Sequence, residues 1–323
     1  MSWQQGRLLS EHLAGQDGPA VVAVGPARVM VGTCSWTDPT LTEQTDWYPK
    51  RSMSAESRLR YYASQFSLVE VDGTYYRPPA YDLARSWVER TPPGFCFDVK
   101  AFALLTGHPV APGVLWPDVK KLLQDKRSGK SRVYAHDFSP DVLDEAWSRF
   151  VGALGPLFEA GRLGAVLLQY PPWFVPSAAN RDELSRLPRR LGELVGCVEF
   201  RSPAWLADDE RSHTLGLLRE LGLAHVVVDA PRSSGLGTVL EVTRPDLAVA
   251  RFHGRSEGTW AARDLSAAER FRYLYSEAEL LEWAVRARAL AERASRVHLL
   301  MNNCYQDYGV RNAAELARLL SSL

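Results

Sequence analysis

Short runs of β-branched and aromatic residues alternate with helix-period segments along nearly the whole chain, and this alternation limits the fold more than any other feature. Such a pattern marks repeated βα units and a parallel sheet. The spacing predicts strands at Val29–Thr33, Leu68–Asp72, Phe95–Lys100, Ala165–Gln169, Val198–Arg201, Val226–Asp229, Leu247–His253 and Val297–Asn302. Helical segments begin near Ser54 and Tyr81, and others cover Pro140–Ala160, Asp182–Leu191, Asp208–Leu221, Glu277–Ala294 and Ala313–Leu320. The connection from Pro231 to Pro245 is rich in Ser, Gly and Pro and carries no helix pattern. These elements fit an α/β fold, a single (β/α)8 TIM-type barrel with an irregular or missing helix after the sixth strand. The barrel domain is read as 28–323, with 1–27 as an N-terminal extension. A stretch at about 102–138 has no strand or long helix pattern and reads as a lid-like insertion, as loops of that length usually do.

Charge balance narrows the partners. Lys plus Arg number 38 and so do Asp plus Glu, so no overall field draws the chain to nucleic acid or membrane, and any such affinity needs a local patch. The four cysteines, Cys34, Cys96, Cys197 and Cys304, include no CxxC pair, which argues against a zinc finger or disulfide framework and for reduced thiols. The apolar run Ala20–Val24 is too short for a secretion signal and is stopped by Gly25 and Pro26. No run approaches the roughly 18 apolar residues of a membrane span. The expectation is a cytoplasmic protein with no membrane partner.

The strand pattern also predicts where charge lies. Residues two apart share a face of a strand. Glu70 and Asp72 therefore oppose Val69 and Val71, Asp98 and Lys100 oppose Phe97 and Val99, and Glu199 and Arg201 oppose Val198 and Phe200. Arg251 and His253 oppose Ala250 and Phe252, while Asp229 shares its face with Val227. The apolar face must meet the helices, so the polar set points into the barrel or its mouth. An ordinary barrel fills that space with Val, Ile and Leu. Internal ion pairing alone is a poor reason for such charge, because desolvation can exceed the Coulomb gain. Charges at the C-terminal ends of strands point to a functional site.

A set of ordered blocks resembles the "domain of unknown function 72" proteins. It opens with Gly-Thr-Cys-Ser-Trp at 32–36, Trp47-Tyr48-Pro49, Tyr61-Tyr62-Ala63, Val69-Glu70-Val71 and Thr74-Tyr75-Tyr76-Arg77-Pro78. It continues through Arg90-Thr91-Pro92-Pro93-Gly94-Phe95, Val99-Lys100-Ala101, Thr106 with His108, and Leu168-Gln169-Tyr170-Pro171-Pro172. Val198-Glu199-Phe200-Arg201 with Trp205, Arg251-Phe252-His253-Gly254-Arg255 and Tyr273-Leu274-Tyr275-Ser276 follow, then Asn302-Asn303 and Arg311-Asn312-Ala313. The blocks run from about residue 29 to 318. The resemblance implies a TIM barrel without a settled activity, distantly similar to endonuclease-IV-type and sugar-isomerase barrels. Two features depart from the family pattern: the basic insertion around Lys120–Arg132, and Cys304 after the paired asparagines.

Glu199, Asp229 and His253 near three strand ends, with Glu70 opposite, could hold a divalent metal with open positions. Lys100, Arg201 and Arg251 on the same rim oppose that and favour an anion, so no metal is assigned and no cofactor is expected. Glu199, His253, Glu70 and Asp229 are the candidate catalytic residues, with His253 suited to proton transfer near neutral pH. Lys100, Arg201, Arg251, Gln169, Asn302, Trp36, Tyr75 and Trp205 are the candidate substrate-binding residues. Aromatic rings just beyond strand ends, including Trp47, Tyr76, Tyr170, Trp173, Trp260 and Tyr305, suit stacking on sugars or unpaired bases. Gly235-Leu236-Gly237 lacks the flanking strand and helix of a dinucleotide loop, and no GxSxG elbow or phosphate loop occurs.

The leading expectation is a hydrolase or lyase acting on a small anionic, phosphorylated or nucleic-acid-derived ligand. One alternative is a non-catalytic barrel that binds nucleic acid or protein through Lys120, Lys121, Lys126, Arg127, Lys130 and Arg132. The other is a carbohydrate-processing enzyme using the aromatic rim.

Overall fold

Among the described residues, hydrogen bonding orders nine strands in chain sequence: β1 (Val22–Val24), β2 (Ala27–Cys34), β3 (Leu68–Val71), β4 (Cys96–Lys100), β5 (Leu163–Tyr170), β6 (Gly196–Phe200), β7 (Ala224–Asp229), β8 (Ala248–Phe252) and β9 (Arg296–Met301). Strands β2 to β9 are parallel, and β2 pairs with β9 from Arg28↔Arg296 to Thr33↔Met301, which closes a TIM-type barrel. The structure, a computed structural model, describes residues 21–123, 131–260, 262 and 264–323. Its helices of eight or more residues are α1 (Ala55–Gln65), α2 (Tyr81–Glu89), α3 (Pro140–Ala153), α4 (Ala178–Ser185), α5 (Arg211–Glu220), α6 (Glu277–Ala291) and α7 (Tyr308–Ser322). The connection after β7 carries only one short helical turn, Arg232–Ser234, in line with its Ser, Gly and Pro content. By internal packing the chain divides into two units, one drawn from Met1–Glu70, Glu89–Cys96 and His225–Leu323, the other from Val71–Val88 and Phe97–Ala224.

In the first unit, β1 lies inside the segment read from the sequence as an extension. It pairs antiparallel with β2, Val22 against Val29 and Val24 against Ala27, through a two-residue Gly25-Pro26 turn. The residues that argued against a secretion signal are a hairpin turn, and Val22 and Val24 are buried by it. Tyr62 of α1 fastens two barrel strands: its hydroxyl accepts from Thr33 N–H at 2.8 Å and donates to the Leu68 carbonyl at 3.0 Å. Phe252 meets Trp283 of α6 edge-on at 4.6 Å, so the apolar face of β8 turns toward the helices. α7 buries Val310, Ala313, Leu316, Leu319 and Leu320, the i, i+3, i+4 spacing of a helix lying on a sheet.

In the second unit, Phe97 of β4 stacks on Trp87 of α2 at 6.1 Å, and Phe200 of β6 stacks on Trp205 at 4.6 Å. The apolar face of these strands is thereby fixed outward, and Asp98, Lys100, Glu199 and Arg201 take the other face by alternation. The stretch 102–138 differs from the irregular lid expected of it. It carries short helical turns at Ala103–Thr106 and Pro112–Val114, the helix Pro117–Lys121 and a bridge pairing Val110 with Val133. Phe102, Leu104, Leu105, Val110, Leu115, Val119, Val133 and Phe138 are buried there. Enough apolar side chains punctuate the stretch to anchor it, although none falls in a long periodic run. Lys120, Lys121 and Arg132 are exposed, whereas Lys126, Arg127 and Lys130 lie outside the described residues.

Candidate functional site

In the first unit the strand-end charges are tied up in pairs. The Arg251 guanidinium grips Glu70 as a fork, Nε to Oε2 at 2.8 Å and Nη2 to Oε1 at 2.7 Å. Both side chains are buried, Arg251 at 1% and Glu70 at 0% exposure. Cys34 joins them, its Sγ 3.3 Å from Glu70 Oε2, and burial together with the Glu70 charge holds its thiol well above the ordinary value. Asp229 accepts from Arg255 Nε at 3.0 and 3.1 Å, and Arg255 reaches on to Glu279 at 3.3 Å. Gly254 makes that reach possible. Its φ is +84°, and a Cβ there would sit 2.5 Å from Tyr273 Cβ, so the chain turns sharply between His253 and Arg255.

His253 is buried, and the Asn302 amide Nδ2 lies 2.7 Å from its Nδ1. Trp260 and Phe271 flank its ring at 5.9 and 5.7 Å. Trp36 is also buried, with its carbonyl taking the Tyr48 hydroxyl at 2.5 Å. Asn303, beside Asn302, donates to the Tyr273 carbonyl and to Asn312, which in turn holds both backbone groups of Tyr275.

The second unit gathers a different set at the ends of β4, β5 and β6. Glu199 is completely buried, and Arg201 Nε lies 2.5 Å from its Oε1. Arg201 also donates from Nη2 to Gln169 Oε1 at 3.2 Å, across the β5–β6 ladder that sets Gln169 opposite Glu199. Lys100 Nζ sits over the Tyr75 ring, 4.4 Å from its centre. The same ring meets His108 edge-on at 5.2 Å, and His108 meets Trp173 at 6.0 Å. Gly107, at φ +78°, ends the turn Ala103–Thr106 and turns His108 back so that its Nδ1 lies 3.1 Å from Thr106 Oγ1. Lys100, Arg201, Gln169 and Tyr75 are half-buried, while Tyr76 and Trp173 are 63% and 59% exposed.

Burial pushes the His108 imidazole down to about 4, and the charges of Lys100 and Arg201 push in the same direction. Burial also lifts Tyr75 to about 12, with Tyr76 adding to the rise and Arg201 opposing it. At neutral pH this cluster therefore carries a neutral imidazole and a neutral phenol beside two cations.

Of the residues singled out from the sequence, Lys100, Arg201, Gln169, Tyr75 and Glu199 come together in this second unit. Glu70, Asp229, Arg251, His253, Asn302 and Trp36 lie in the first. Trp205 is wholly covered, stacked between Phe174 and Phe200 with its Nε1 donating to the Phe174 carbonyl at 2.6 Å. Its ring is on the helix side of β6 because it packs on the outward Phe200. Arg255 and His108, quoted among the blocks of the family resemblance, were given no place among the candidate site residues. Arg255 could have been read from its place two residues past His253. His108 depends on the Gly107 turn and on neighbours far away in sequence.

A match over nearly the whole described chain decides the relationship: the family "Protein of unknown function DUF72" covers residues 30–323. The chain belongs to the DUF72 family. A relative, the UPF0759 protein YunF of Bacillus subtilis (strain 168), is 26% identical over 297 residues, covering 90% of this chain and 94% of its own. A DUF72 family protein of Thermotoga maritima MSB8 has a crystal structure that matches with a TM-score of 0.70 at 29% identity, covering 90% of this chain and 98% of that one. One from Enterococcus faecalis V583 matches with a TM-score of 0.73 at 24% identity, covering 90% and 95%. DUF72 relatives thus share the barrel. Among the described residues, no helix is long and apolar enough to cross a membrane.

Proposed function

We propose that this DUF72 protein is an enzyme, a hydrolase or lyase, acting on a phosphorylated small molecule bound at the ends of β4, β5 and β6. The observation that carries the reading is Lys100 seated on the linked Tyr75–His108–Trp173 rings, with Arg201 held beside Gln169 and Glu199, at and just beyond strand ends, where barrels place their chemistry. Arg201 offers a planar fork for a phosphate and Lys100 a point charge. Gln169 supplies an amide beside them. Exposed Trp173 and Tyr76 give flat surfaces on which a sugar or base can rest. Glu199 is the general acid or base, and its contact with Arg201 holds it in place. The buried Glu70–Arg251 pair serves as a scaffold in the other unit. Asp229, committed to Arg255, and His253, committed to Asn302, are oriented groups of that unit.

The test pairs binding with turnover. Phosphate is expected to raise the melting temperature of the wild type, and Lys100→Met or Arg201→Met is expected to abolish that rise. A panel of phosphate mono- and diesters should then reveal a turnover that Glu199→Gln lowers at least tenfold while phosphate affinity stays within about threefold. Phosphate binding without turnover of any ester in the wild type would favour the non-catalytic binding barrel. Turnover that survives Glu199→Gln would remove its assigned role.

A further inference from the structure

We infer that Cys304 and Cys34 are a peroxide-reactive thiol pair, in which Cys304 is oxidised first and Cys34 resolves it to a disulfide across the seam between β2 and β9. Both belong to the first unit, and the inference goes beyond the anion reading above without depending on it. Thr33 pairs with Met301 in the β2–β9 ladder; Cys34 follows that pair by one residue and Cys304 by three. The two strands lie about 4.8 Å apart, a spacing that suits the Cα separation of about 4.4–6.8 Å across a disulfide. Beyond β9 the chain turns back on β2, and Cys304 Sγ stands 2.9 Å from the Cys34 carbonyl oxygen. Two anchors hold that turn. The Asn303 amide donates to the Tyr273 carbonyl at 2.9 Å, and Gln306 N–H donates to the Thr40 hydroxyl at 2.7 Å. The carbonyl oxygen and Sγ of one residue are four bonds apart, so covalent geometry keeps the two sulfurs within about 8 Å. Rotation about the side-chain bonds of the two cysteines is then the movement that joins them.

The surroundings of the two thiols divide the roles. Cys304 is partly exposed, so an oxidant in solvent reaches it, whereas Cys34 is buried. Cys34 donates from Sγ to Glu70 Oε2 at 3.3 Å, and burial first, then the Glu70 charge, keeps it in the unreactive thiol form. The same contact gives its proton a place to go. In the first step the Cys304 sulfur attacks one oxygen of hydrogen peroxide. The O–O bond breaks, an S–O bond forms, and the departing hydroxide leaves as water with the thiol proton. In the second step the Cys34 sulfur attacks the Cys304 sulfur and passes its proton by way of Glu70 to the departing hydroxide. The S–O bond breaks, the S–S bond forms and a second water leaves. Peroxide has gained two electrons, one from each sulfur, and a dithiol reductant restores both thiols with two electrons and two protons. Oxidation thus takes Cys34 away from Glu70 and makes the β2–β9 seam covalent, a reversible change of the kind redox-sensing thiols undergo.

The probe is hydrogen peroxide in small excess over the fully reduced full-length chain. Thiols titrated in denaturant should fall from four to two, and dithiothreitol should restore them. After blocking with N-ethylmaleimide and digestion with trypsin without reductant, the peptide Val29–Lys50 should be found joined to Val297–Arg311. Cys304→Ser should keep its three thiols over the time in which the wild type loses two. Cys34→Ala should form no cross-link and should accumulate a sulfenic acid at Cys304, read by dimedone trapping. If that variant does not fold, dimedone present during oxidation of the wild type should label Cys304 ahead of Cys34, Cys96 and Cys197. Four thiols remaining after peroxide overturn the proposal. So does a cross-link that joins two chains or any other two cysteines. Oxidation of Cys304 to the sulfinic acid while Cys34 stays free overturns the pair and leaves an oxidisable cysteine alone. Labelling of Cys34 ahead of Cys304 overturns the order of the steps.

Discussion

At the residue scale, similar charge pairs in this barrel do different work because their burial differs. Arg251 and Glu70 are shielded from water and satisfy each other through two parallel hydrogen bonds. Removing one partner leaves the other buried and uncompensated, at a cost of about 3–5 kcal/mol. Glu70→Gln and Arg251→Met should each lose that much in urea unfolding. Glu70→Leu combined with Arg251→Met should lose clearly less than the sum. Additive losses would show that the two charges do not depend on each other. His108 carries the opposite signature. Its folded value near 4 lies below the ordinary 6.5, so between these the unfolded chain holds more protons than the folded one. Stability contributed at this site is full above about 6.5 and is lost as pH falls toward 4, by around 3 kcal/mol. Wild type should therefore lose more stability over that window than His108→Gln. Parallel pH–stability curves would remove the imidazole from the account.

At the element scale, the two ends of a strand serve different purposes. The start of β2 is covered by the β1 hairpin, which buries Val22 and Val24 and leaves Ala23 outward. Replacing both valines with Ser should cost about 2–4 kcal/mol, from the transfer energy of two nearly buried side chains. The phosphate binding proposed at the ends of β4–β6 should survive in that variant. A loss of less than about 0.5 kcal/mol would mean that β1 is decoration. At the other end, polar residues that emerge only partly stand at or beside the ends of β4, β5 and β6: Lys100, Gln169 and Arg201. Half-burial suits an anion site: the cations keep enough water to stay charged, and enough protein surrounds them to strengthen their field.

At the scale of the whole molecule, metal and anion make opposite predictions for stability. The three carboxylates considered for a metal, Glu70, Glu199 and Asp229, are each held by an arginine, Arg251, Arg201 and Arg255. A cation at any of them would have to displace a guanidinium. Chelator treatment should leave the melting temperature unchanged. Saturating sulfate should raise it by several degrees, since a ligand held at 100 times its Kd and bound only by the folded state adds about 2.7 kcal/mol. A large fall with chelator, reversed by manganese or zinc, would restore the metallo-hydrolase reading.

The amino-acid order alone determined the barrel, because hydrophobic periodicity is a local property. Strand β3, expected at Leu68–Asp72, runs Leu68–Val71, and the helix missing after β7 is legible in its Ser, Gly and Pro. The polar faces followed from alternation, since a side chain two residues on must share its neighbour's side. Partner choice between distant strands did not follow. Glu70 and Arg251 are 181 residues apart, and only the closing of the strands brings Glu70 to Arg251 rather than another cation. His108 sits in a stretch without period, and its neutrality comes first from its burial and then from Lys100 and Arg201, none of which has a local signature. Fold class is written in short-range pattern, whereas burial and electrostatic environment are sums over neighbours that exist only once the chain has folded.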